Sequence, residues 1–123
     1  SVSFVGNVHE GPHALNGRNT TLMRPGMIVT DEPGVYETDL VGIRIENELV
    51  CVHKADNQYG TFLGFEPIMF VPIATSPIVP GVLTKDELDW LNNYHRQVFE
   101  KLAPRLNDEE REWLAKKCAA IGC

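Results

Sequence analysis

Basic residues are in short supply: 11 Lys and Arg against 17 Asp and Glu leave a formal net charge of -6 over 123 residues. They are also scattered, which excludes the clustered positive footprint of a nucleic-acid binder. Cysteine is sparse, with Cys51, Cys118 and Cys123 widely spaced and no CxxC pair. That rules out a disulfide framework and leads us to expect a reducing, cytoplasmic setting. No apolar run reaches the roughly 20 residues needed to cross a bilayer, so no membrane is expected among the partners. The chain opens at Ser1 with neither an initiator methionine nor a basic-then-apolar leader, and no signal peptide is expected. Internal repeats and low-complexity tracts are missing too. What is present is ordinary: 43% hydrophobic and 23% charged residues, the make-up of a soluble globular chain with one modest core.

Along the chain, β-type patterning comes first and helical patterning last. Residues 1 to 10 favour a strand that Gly11-Pro12 stops, and His13 to Arg24 reads as a polar loop around Asn16-Gly17-Arg18-Asn19. Arg24-Pro25-Gly26 is a turn that delivers a short strand, Met27 to Thr30, and Val35-Tyr36-Glu37 leads on to another turn at Thr38 to Leu40. Gly42 to His53 is expected to be the longest strand, Lys54 to Gly60 a polar turn, and Phe65 to Ile73 an edge strand interrupted by Pro67 and Pro72. Thr75 to Gly81 is a rigid linker. Thr84 with Glu87 three residues on forms a capping box for a helix running to about Ala103, packed through Leu88, Leu91, Val98 and Leu102 and ended by Pro104. A shorter helix is expected from about Asp108, with Trp113, Leu114 and Cys118 on one face.

Two carboxylates stand out within the β-type block. Glu32 ends an apolar run in Asp31-Glu32-Pro33-Gly34-Val35-Tyr36, and Glu46 lies within Gly42-Ile43-Arg44-Ile45-Glu46-Asn47. Burying an ionised acid without a partner costs several kcal/mol, so such residues coordinate a cation or pair with an arginine. Val8-His9-Glu10-Gly11-Pro12 adds an imidazole with a similar apolar approach. Strand alternation sets Arg44, Glu46 and Glu48 on one face and Ile43, Ile45, Asn47 and Leu49 on the other. The same alternation also describes a plain half-buried strand whose charged face meets water, so both readings stand at this point.

In combination, Val-His-Glu-Gly-Pro, Arg-Pro-Gly-Met-Ile-Val-Thr-Asp-Glu-Pro-Gly-Val-Tyr and Gly-Ile-Arg-Ile-Glu-Asn resemble the C-terminal part of the catalytic domain of Xaa-Pro aminopeptidases. These are metallopeptidases with the pita-bread fold that prolidase, creatinase and methionine aminopeptidase share. Phe62-Leu63-Gly64-Phe65-Glu66-Pro67 and Leu88-Asp89-Trp90-Leu91-Asn92-Asn93-Tyr94-His95 are similar to the tail of the cytosolic aminopeptidase P branch. The resemblance implies an α+β fold, with an antiparallel sheet followed by two helices. It divides the chain into residues 1–74, the C-terminal portion of the catalytic sheet, and residues 75–123, a helical extension of the same domain.

The resemblance also implies a site with two divalent metal ions, manganese first and cobalt or zinc as alternatives, given carboxylate and imidazole donors. Glu32 matches a glutamate that binds one metal, and Glu46 matches the carboxylate that bridges both. His9 matches a histidine that is not a ligand and helps to position substrate or move a proton. Arg44 matches an arginine that orients ligands, and Tyr36 a tyrosine near the substrate cleft. The implied partners are a peptide with proline in second position, the rest of the catalytic domain and a second copy in a homodimer. Three of the family's five ligands, two aspartates and a Gly-His-Gly histidine, have no counterpart between Ser1 and Cys123. The chain by itself is therefore expected to be inactive. The competing expectations are a non-catalytic pita-bread module for peptide binding or dimerisation, and a prolidase-like dipeptidase.

Overall fold

The computed structural model describes residues 5–122, and two antiparallel pairings run end to end along one ribbon within it. The strands are β1 (Ile28–Asp31), β2 (Gly34–Glu37), β3 (Val41–Arg44), β4 (Asn47–Asn57) and β5 (Gly60–Pro67). Strand β1 pairs with β4, with Asp31 opposite Asn47, while β2 pairs with β3, with Gly34 opposite Arg44. Strand β5 completes a three-stranded sheet in the order β1-β4-β5. The described residues divide into two compact units, one ending at Met69 and the other starting at Phe70.

The first unit is entered through a tight turn. Pro25 fixes one central position and Gly26, at φ 88°, takes the left-handed position that a side chain disfavours. Met27 N–H donates to the Arg24 carbonyl at 3.1 Å, and Cys51 then exchanges backbone hydrogen bonds with Gly26 and Met27, each at 2.8 Å. Val29 and Cys51 are fully buried. Cys51 is thus the small buried hydrophobe that its Val-Cys-Val setting implies.

Several expected boundaries move. Residues 5 to 10 form bends and not a strand, and the first four residues of that expected strand lie outside the described ones. The expected strand Gly42 to His53 is interrupted at Ile45-Glu46, where the ribbon changes partner from β2 to β1. Lys54 to Gly60 is not one polar turn, because β4 runs on to Asn57 and a two-residue loop leads directly into β5. Its polar side chains line exposed strand: Thr61 Oγ1 donates to Asp56 at 2.8 Å, His53 Nε2 lies 2.8 Å from the same carboxylate, and Lys54 reaches Glu66 at 2.7 Å. The last strand starts at Gly60 and stops at Pro67, so Phe65 to Ile73 is not a strand.

Helical order in the second unit follows its sequence signals closely. Helix α1 (Lys85–Leu102) begins at a complete capping box, in which Thr84 N–H and its hydroxyl both donate to Glu87 at 2.8 Å. Those bonds hold the Glu87 carboxyl below its usual range. Leu88, Leu91 and Val98 are buried and Leu102 half-buried. A 3₁₀ turn at Ala103–Arg105 carries Pro104, and helix α2 (Asp108–Lys117) follows with a second capping box, Asn107 with Glu110. Tyr94, Val98 and Leu114 form the centre of the core, flanked by Phe70, Ile73 and Phe99. Trp113 does not share that core: it is more than half exposed, with the Lys117 ammonium over its ring.

Two side chains of α1 fasten the irregular segment after Phe70. Tyr94 O–H donates to the Val71 carbonyl at 2.9 Å, and His95 Nε2 accepts from Ile73 N–H at 3.1 Å. His95 is wholly buried, and that burial pushes its imidazole below the usual histidine range. In the unfolded chain the ring titrates near about 6.5, so below that pH the unfolded state binds more protons than the folded one. Stability is therefore lost as pH falls from about 6.5. Both tryptophans, Trp90 and Trp113, belong to this unit, so indole fluorescence reports its unfolding. The urea midpoint should drop between pH 7.5 and 5.5, and His95→Gln, which keeps an acceptor but does not titrate, should flatten that slope. An unchanged slope in the variant would mean that another group takes up the proton.

Candidate metal centre

Glu32 and Glu46 occupy the two joints of the ribbon. Asp31 stands opposite Asn47 and Gly34 opposite Arg44, and carrying the register across the gap sets Glu32 against Glu46 and Pro33 against Ile45. Ile45 N–H donates to the Pro33 carbonyl at 3.2 Å, which holds the ribbon together through the break. Directly opposed residues of an antiparallel pair share a face, and like charges in that position repel. A cation must lie between the two acids, or they must spread apart.

Arg44 supplies a cation. Its guanidinium reaches Glu32 Oε2 at 3.6 Å through Nη1 and Glu46 Oε2 at 3.2 Å through Nη2. The geometry follows from parity, because Arg44 precedes Glu46 by two residues and lies diagonally across the ribbon from Glu32. Neither acid is fully buried, with side-chain exposure of 28% for Glu32 and 34% for Glu46. The expectation of carboxylates enclosed in apolar strands is thus corrected to carboxylates about one-third exposed at irregular joints.

Glu32 has two further neighbours. Thr30 Oγ1 donates to its Oε1 at 2.9 Å, and His9 Nε2 lies 3.4 Å from the same oxygen. Nothing in the sequence marks Thr30 as a site residue, although alternation alone puts residues 30 and 32 on one face. His13 lies in the polar loop, and its Nε2–H donates to the Ile28 carbonyl at 2.8 Å and ties the loop to β1. Asn19 and Thr21 both donate to the Pro12 carbonyl, at 2.9 and 3.0 Å. Between this loop and β1 lies an open cleft of about 630 Å³, lined by His9, His13, Thr30 and Glu32 among others.

Tyr36 lies on the same ribbon face as Arg44 and Glu46, and two glycines make room for it. A Cβ on Gly34 would come within 2.8 Å of the Tyr36 ring, and one on Gly42 within 3.1 Å. The phenol thereby lies across the position that faces Arg44, and it remains largely exposed.

The five residues expected at the site therefore gather on one ribbon and its neighbouring loop. Among the described residues, no three His, Cys, Asp or Glu side chains are arranged to hold a metal ion. Two facing carboxylates that already share one cation do fit part of such a site. Hard oxygen donors of this kind suit manganese or magnesium, and an added imidazole admits zinc.

Known proteins carry similar sequence. A family model described as metallopeptidase family M24 matches residues 3–53, and one described as the C-terminal region of peptidase M24 matches residues 61–121. Aminopeptidase P2 of Arabidopsis thaliana is 46% identical over 88% of this chain, which corresponds to 16% of that protein. A probable Xaa-Pro aminopeptidase P of Coprinopsis cinerea is 41% identical over 94% of the chain and 20% of its own length. Among solved structures, an X-prolyl aminopeptidase from Caenorhabditis elegans, described as a cytosolic enzyme with a di-nuclear active site, superimposes with a TM-score of 0.73. It is 37% identical over 94% of this chain and 20% of that one. The chain thus spans about a fifth of the length of these relatives.

Proposed function

This chain belongs to metallopeptidase family M24, and from that premise we propose that it carries the two-glutamate side of a two-metal centre in an Xaa-Pro aminopeptidase. The single observation behind the reading is the opposition of Glu32 and Glu46 across the ribbon, with one guanidinium between them. Antiparallel strands followed by two helices accord with the C-terminal part of a pita-bread domain. In this reading Glu32 would serve one metal ion and Glu46 would serve both. Manganese is the proposed occupant, because carboxylate oxygens are hard donors. When bound, such a metal pair supplies a nucleophilic water at neutral pH and a Lewis acid for the scissile carbonyl.

The remaining roles fall to this chain's own side chains. Thr30 orients Glu32 through its hydrogen bond, and Arg44 draws the two carboxylates toward one another. His9, mostly exposed beside Glu32, is placed to hold or pass a proton at the edge of the cleft. Tyr36 is placed to contact the peptide. The proposed substrate is a peptide with proline in second position. The proposed setting is cytoplasmic, like that of the Caenorhabditis elegans enzyme, and the proposed assembly is a homodimer.

A peptide panel on the full-length protein tests the reading. With manganese present it should release the first residue from Xaa-Pro peptides and leave the matching Xaa-Ala peptides intact. Chelation should abolish turnover and remove about two metal ions per chain. The 123-residue chain by itself should be inert in the same assay. Equal cleavage of both peptide series would remove the proline specificity, and activity that survives full demetallation would remove the metal centre.

A further inference from the structure

Glu32, Glu46 and Arg44 do not balance one another: two carboxylates and one guanidinium leave a net charge of -1 on the cluster. The contacts are also loose. At 3.6 and 3.2 Å, both ion pairs exceed the roughly 2.7–2.9 Å of a charge-assisted hydrogen bond, and the arginine side chain is half exposed. A divalent ion between the same carboxylates would leave the cluster at +1 with the guanidinium still in place. A metal ion held by these carboxylates would lie close to the guanidinium, and the two cations repel.

We propose that Arg44 is the resident counter-cation of the Glu32–Glu46 pair, keeping the joints closed until a metal ion displaces it. This rests on the reading of those glutamates as metal ligands and adds a direction to it: Arg44 lowers metal affinity. An arginine suits such a role because its planar fork bridges two acceptors, and it stays charged at every working pH. The ribbon supplies the means. The Tyr36 ring fills the space over Gly34, but half of the Arg44 side chain is open to solvent, so the guanidinium can swing outward without disturbing the pairing of β2 with β3. Arg44 is thus a positioning residue for metal loading, acting on the ligands and not on the peptide.

The test is a manganese titration of the full-length protein, with free ion followed by electron paramagnetic resonance. Arg44→Gln should bind manganese roughly threefold to tenfold more tightly than the unaltered protein, as expected for loss of two partly exposed competing ion pairs. Arg44→Lys, which keeps the charge but loses the fork, should fall between them. Unchanged or weaker binding by Arg44→Gln overturns the proposal, since a residue that only orients ligands would lower affinity when removed. The double variant Glu32→Gln/Glu46→Gln separates the underlying reading. If it binds manganese as well as the unaltered protein, the glutamates are not ligands and both ideas fall. Should Arg44→Gln fail to fold, the Arg44 Nε resonance of the unaltered protein serves instead. Diamagnetic zinc should shift that resonance as the contacts to both glutamates are lost, and a resonance indifferent to saturating zinc overturns the proposal.

Discussion

Glu46→Gln in the full-length protein is expected to lower kcat/KM on an Xaa-Pro peptide by at least about a thousandfold, or roughly 4 kcal/mol of transition-state stabilisation. The amide preserves the size and shape of the side chain but removes the charge. In the proposed site that charge serves two ions at once, so its loss weakens both. It also leaves Arg44 with Glu32 as its only acidic partner across the ribbon. Metal content should fall along with activity, while circular dichroism should stay unchanged because Glu46 lies in a joint and not within a strand ladder. Glu48→Gln, two residues along the same chain, is the matched control and should leave turnover within a few fold. Full activity in Glu46→Gln would exclude the glutamate as a ligand, whatever its position.

The second large effect concerns stability. Leu114 is only 2% exposed and is the one buried residue of α2. It meets Tyr94 and Val98 in the core, so it is the main apolar anchor of the helix. Leu114→Ala should cost about 2–5 kcal/mol, through lost transfer energy and the cavity left behind. For a unit of this size that corresponds to a fall in Tm of roughly 10–30 °C. Alanine is the better helix former, so helix propensity cannot account for such a loss. Trp113→Ala, its neighbour, should change Tm far less, because that ring is 57% exposed. Thermal melts followed by circular dichroism check both, and equal effects of the two substitutions would show that α2 is held through its outer face as well.

Helical structure was the most legible part of this chain, because its signals are local. A capping box states where α1 starts, and Pro104 states where it gives way. The β-type block was legible in its alternation but not in its joints. Nothing in Gly42 to His53 announces a break at Ile45-Glu46, since both residues continue the pattern around them. The break arises from pairing: the chain leaves β2 and joins β1, a nonlocal event with no local composition signal. Lys54 to Gly60 misled for the opposite reason. Its polarity is that of an exposed strand, and only Asn57 to Gly60 turns. At the candidate site, motif likeness points to five residues that the ribbon and its neighbouring loop bring together, while alternation alone leaves a solvated charged face equally open. Thr30 and His13 were missed because a lone hydroxyl or imidazole in a polar stretch has no distinctive spacing.

The register that opposes the two glutamates also governs which insertions and deletions this ribbon can absorb. The turn at Thr38 to Leu40 lies beyond the last pair, Glu37 with Val41, so its length can vary without altering who faces whom. The four-residue arms on either side have no such freedom. One residue gained or lost in either arm reverses parity, because side chains alternate strictly along a strand. In the β3 arm, the slip would bring Ile43 to the face now held by Arg44. A single codon added in either arm would thus part Glu32 from Arg44 and Glu46 without altering any of the three residues.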